Sequence, residues 1–182
     1  MNRLRLCGLA ALLIPAVLTA QQPASSGSNP MTEATQRLGS RYEQFLVSAA
    51  EEVPADKLSY KPTEAQMTFG AVWAHLAEAN RGICSAIGGM SAPEAAERNG
   101  TEDKATLVSE LKDSFAFCNS ALAATDDSNL GEQVDMGFMK STRAMAMFIY
   151  VTDLVDHYSQ VANYMRLNGM LPPSAKGAGA TQ

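Results

Sequence analysis

Apolar residues recur at spacings of three and four in four separate stretches of the chain, the signature of helices that each bury one face. In the first, from about Met31 to Glu52, Leu38, Tyr42, Phe45, Leu46 and Ala49 share a face, and Pro54 ends the pattern. The following stretch to Gln66 has two prolines and no period, so it reads as a connection, with Leu58 and Tyr60 available to pin it down. The second helix is predicted from an N-cap at Thr68 to Gly88-Gly89, with Val72, His75, Leu76, Ala79, Ile83 and Ile87 on one side. The third spans about Thr101 to Ala124, where Val108, Leu111, Phe115, Cys118 and Leu122 step three-four-three-four as in a bundle seam. The fourth runs from about Thr142 to Leu167 and is stopped by Asn168-Gly169 and Pro172-Pro173. The segments 90–100 and 126–137 are polar and aperiodic, no strand-like alternation is long enough to matter, and no repeat is present. The pattern predicts an all-α, four-helix fold.

Composition adjusts this picture at its ends. The 182 residues suffice for one domain. Arg3 and Arg5, an apolar run from Cys7 to Leu18, and a small residue at Ala20 form a secretory signal pattern over 1–20, too short for a helix across a ~30 Å bilayer. Export follows as an expectation, periplasmic or secreted, with no stable membrane span once the signal is removed. Residues 21–30 read as a flexible tether, 31–173 as the folded unit and 174–182 as a disordered tail. The net charge is −5, and loss of Arg3 and Arg5 makes the remainder more negative still. With one Trp, six Phe and no basic cluster, nucleic acid is disfavoured as a partner.

The fourth helix carries an unusual line of polar groups. Tyr150, Asp153, His157, Gln160 and Tyr164 follow one another at intervals of three and four, between the apolar Met147, Leu154, Val161 and Met165. A buried carboxylate or imidazole without partners is costly, so something must compensate them. Asp153 and His157 lie one turn apart and can face the same way. The chain has only two histidines, and the other, His75, is mid-helix on an apolar face. Two histidines and a carboxylate can hold a divalent cation with coordination positions left open, and such an ion lowers the pKa of its water. The plain alternative is a pair of hydrogen-bonded core histidines, with Asp156 the competing carboxylate.

Three stretches resemble the DinB-like superfamily of metalloenzymes: Val53 to Leu76, with Trp73-Ala74-His75-Leu76 at its end; Asp153-Leu-Val-Asp-His-Tyr-Ser-Gln160; and Asn163 to Pro173. The resemblance covers nearly all of 31–173. It implies an up-down-down-up bundle and a metal held by His75 and His157, with Gln160 matching the family's Gln. Asp153 departs from the pattern, which has His there; a carboxylate shifts preference toward harder ions. The candidate metals are zinc, nickel, manganese and iron, with no one of them singled out. Tyr150, Gln160 and Tyr164, from the polar line of the fourth helix, are the candidate pocket residues. The topology also bears on Cys84 and Cys118. If the second and third helices were antiparallel, the two would lie roughly 20 Å apart and could not bond. If the helices run parallel, as the resemblance implies, the cysteines sit at similar height, and a Cys84–Cys118 disulfide is expected in place of two free thiols.

Three functions remain open on the sequence: a metal-dependent hydrolase or thiol-linked transferase of a small molecule; a non-catalytic metal- or small-molecule-binding bundle; and a structural homodimerising module with an inert polar core.

Overall fold

Local chemistry sets the helix ends. The Thr68 hydroxyl accepts from Ala71 N, Asp103 from Thr106 N, and Thr142 from Met145 N, each satisfying an amide that the first turn leaves free. In the computed structural model, which describes residues 28–176, these caps open α2 (Phe69–Gly88), α3 (Lys104–Ala123) and α4 (Arg143–Leu167). They follow α1 (Pro30–Glu52). The expected signal, most of the tether and residues 177–182 lie outside the described residues. Among the described residues no helix is long and apolar enough to cross a membrane.

The long helices pack on one another in defined directions. Asn80 meets Ser114, Cys84 meets Cys118, and Gly88 abuts Ala121, so α2 and α3 run the same way. Cys84 and Cys118 are joined by a disulfide with Cα atoms 5.1 Å apart. The aperiodic segment 90–100 makes this direction attainable. It returns to the start of α2, where Gly100, at φ 87°, lies so close to Gly70 that a Cβ on either would overlap the other's backbone. Arg98, which donates to Glu110 at 2.7 Å, fastens it to α3. α4 runs against α2, since Arg143 at its start donates to Ala86 and Ile87 carbonyls at the end of α2.

Several expectations are corrected. Leu38 is 40% exposed, off the buried face of α1. That face runs instead through Thr32, Thr35 and Gly39, because the Tyr150 ring occupies the space where a Cβ on Gly39 would lie. α3 begins at Lys104, not Thr101, because the Thr101 hydroxyl is committed to the Asn99 side chain. The stretch 126–137, read as loop, contains strand β1 (Gln133–Asp135), which pairs antiparallel with β2 (Lys140–Thr142) just before α4. Asp127 reaches the start of α1 and accepts from Met31 N and Thr32 N, giving α1 a cap from a distant loop. At the far end, residues assigned to the tail form a short helix, α5 (Pro173–Lys176), held by Ser174 N donating to Tyr158 and by Lys176 against Glu52.

Candidate metal centre

The antiparallel contact of α2 with α4 brings His75 opposite Asp153 and His157. The Nε2 atoms of the two histidines approach the same oxygen, Asp153 Oδ1, at 3.8 and 3.6 Å. One ligand-capable atom from each of the three residues lies within 4.8 Å of the others. The imidazole rings meet edge to face with centroids 4.6 Å apart. Asp156, the competing carboxylate, is exposed on the outer side of α4.

The charges at this point are incompletely satisfied by protein. Asp153 Oδ2 is buried and has no hydrogen-bond partner. A buried carboxylate oxygen without a partner is costly. A cation among the three side chains would remove that cost, and two imidazole nitrogens with one carboxylate suit a first-row divalent ion. The residues present therefore fit the metal. In the metal-free protein the Asp153 carboxylate holds the His75 imidazolium above its ordinary 6.5; partial burial opposes the shift and Glu78 adds to it.

Behind His157 stands a hydrogen-bonded chain. Gln160 Oε1 lies 3.1 Å from His157 Nδ1, and Gln160 Nε2 donates to the Tyr164 hydroxyl at 2.7 Å. A carbonyl oxygen only accepts, so Nδ1 carries a proton toward Gln160, which leaves Nε2 as the ring atom facing Asp153. Gln160 and Tyr164 thus orient the His157 ring, and they line a separate cavity of about 360 Å³ with Asp156 and Asn163, not the one that His75 lines. Tyr150 is also relocated. It is 1% exposed, its ring packs on Gly39 of α1, and burial pushes its phenol well above the ordinary range. Its place on the polar line of α4 is real, but the ring turns to α1 instead of α2.

The centre opens into a cavity of about 540 Å³ whose wall includes His75 and Asp153. Ala79 and Ile83, on the predicted His75 face of the second helix, also line it, whereas Glu78, Met136 and Phe138 were not identified from the sequence. Glu78, one turn from His75, carried a usable signal in its spacing. Met136 and Phe138 carried none, because their arrival depends on the β1–β2 hairpin.

Residues 40–161 match the family described as the DinB superfamily. The chain belongs to the DinB superfamily. The fold agrees with solved structures: a DinB-like protein from Bacillus cereus, at 17% identity and TM-score 0.66, covers 78% of this chain and 95% of its own. A conserved protein from Enterococcus faecalis, at 16% identity and TM-score 0.62, covers 75% and 95%. No curated protein matches the chain. At these identities the structures establish the shared DinB-like helical fold and leave the site to be argued from its own residues.

Proposed function

We propose that this DinB superfamily member is an exported, up-down-down-up four-helix bundle that holds one divalent cation at His75, Asp153 and His157 and acts on a small molecule in the adjoining cavity. The reaction class proposed is hydrolysis or thiol-linked transfer. The observation that carries the metal reading is the convergence of two Nε2 atoms on one oxygen of Asp153 while its other oxygen is buried without a partner. The parallel α2–α3 and antiparallel α2–α4 pairings support the topology, and the N-terminal pattern of basic start, apolar run and small residue supports export.

When bound, a divalent ion supplies Lewis acidity at the cavity wall. The chain's own residues do the remaining work. Gln160 and Tyr164 fix the tautomer and ring plane of His157. Asp153 joins the two helices through both imidazoles. Elemental analysis of protein purified without chelator tests the reading: about one divalent ion per chain in the wild type, and most of it lost in His75→Ala and in His157→Ala. A wild type that is empty and refuses added zinc, nickel and manganese overturns it.

One observation favours a different reading. Phe148, Met145 and Met139 are exposed apolar side chains on α4 and beside the hairpin, a surface suited to self-association. Sedimentation at micromolar concentration decides it: a dimer supports a homodimerising module, and a monomer removes it.

A further inference from the structure

The stretch of cavity wall supplied by α2 runs from His75 to Ile83, and the facing stretch of α4 runs from Asp153 to Ile149. Because the helices are antiparallel, both stretches begin at the candidate ligands and lead away from them into apolar side chains. The β1–β2 tip closes the third side. It is fixed there: Met136 is 4% exposed, and its carbonyl lies 3.5 Å from where a Cβ on Gly82 would stand, so the hairpin backbone rests on α2. Phe138, two residues on, lines the same cavity yet is 67% exposed, an aromatic ring with little of this chain to cover it. The charged groups in the wall other than His75 are carboxylates, Glu78 and Asp153; it contains no Lys or Arg. The volume lies within the range of small-molecule sites.

We propose that this cavity receives the uncharged aryl or alkyl tail of a small molecule whose polar head lies against His75 and Asp153, with Phe138 and Ile149 gripping the tail and Glu78 repelling anionic ones. The inference rests on the metal reading for the head and on the wall alone for the tail. It disfavours thiol cosubstrates bearing several carboxylates, and so favours the hydrolytic arm of the proposed function.

The test keeps the head constant and varies the tail. Zinc-loaded protein is titrated calorimetrically with 4-phenylbutanohydroxamic acid and with succinomonohydroxamic acid, whose tail is a carboxylate. The expected result is roughly tenfold tighter binding of the phenyl compound, in line with burial of one aromatic ring. Phe138→Ala should lose about threefold or more of that affinity, and Phe138→Lys should narrow the preference by giving the carboxylate a partner, both with zinc stoichiometry unchanged. Equal affinities in the wild type, or a preference that neither variant moves, overturn the inference and leave the metal reading intact. If the protein binds no zinc, the metal reading fails separately, and 4-phenylbutanamide is added to metal-free protein. Chemical-shift changes at the Ile83 and Ile149 methyls then support the tail site, and their absence refutes it.

Discussion

Asp153 Oδ1 faces two imidazoles while Asp153 Oδ2 is buried without a partner, and this asymmetry governs the residue-scale behaviour of the site. In the metal-free protein, Asp153 favours the protonated form of His75. The His75 pKa is raised above 6.5, so the stability this contributes is fully present below that value and fades as pH rises through the folded-state pKa. NMR titration of the apo protein should give a His75 midpoint above 6.5 in the wild type and a lower one in Asp153→Asn; a wild-type midpoint at or below 6.5 contradicts the assignment. Protons compete with the ion at the same nitrogen, so zinc affinity should weaken on acidification from a higher pH than an unperturbed imidazole would impose. Gln160 acts through His157. Gln160→Leu should weaken zinc binding by roughly 10–100-fold, the usual effect of removing a ligand's supporting hydrogen bond, with far-UV circular dichroism unchanged. Affinity equal to wild type would show that His157 needs no such support.

At the scale of elements, what could be read from the sequence divides by range. The four helices were legible because period and capping are local, as at Thr68 and Thr142. The hairpin was not, since three-residue strands are too short to show alternation, and its partner is another strand of the same length. His75, Asp153 and His157 stood out as the only two histidines and a carboxylate one turn from the second. Tyr150 misled because a position on one helix does not say which neighbour it faces; Gly39, on a different helix, decides that. A Cβ there would stand 3.0 Å from Tyr150 Cε1, so Gly39→Ala should force the ring to shift at a cost of about 1–3 kcal/mol, offset in part by the ~1 kcal/mol that Ala gains over Gly inside a helix, for a net loss of roughly 0–2 kcal/mol by urea denaturation. A net gain near ~1 kcal/mol would mean that the α1–α4 contact gives way freely. The disulfide belongs to this scale too, because it joins two helices that must run parallel. Peptide mapping of unreduced protein should recover Cys84 and Cys118 in one linked pair. Reduction should destabilise the fold by roughly 3–4 kcal/mol for a loop of 34 residues. Separate, freely alkylated Cys84 and Cys118 peptides would contradict the bond.

Across the whole molecule, the parallel α2–α3 pair and the returning linker leave α4 to run against α2, and that contact assembles the site from residues nearly eighty positions apart in sequence. The membership in the DinB superfamily and the fold shared with the Bacillus cereus and Enterococcus faecalis proteins place the arrangement in a known frame. On the proposed metal reading, Asp153 supplies a carboxylate where the family resemblance implies a His. Replacing Asp153 by His should retain or tighten binding and replacing it by Asn should weaken it, whereas Asp156→Asn, on the exposed side, should change nothing. X-ray absorption of the zinc-loaded protein tests the central claim most directly. The account predicts a first shell with two imidazole nitrogens at about 2.0–2.1 Å and carboxylate oxygen, reduced to one imidazole in His157→Ala. A shell of oxygen alone, or a spectrum that His157→Ala leaves unchanged, would contradict it.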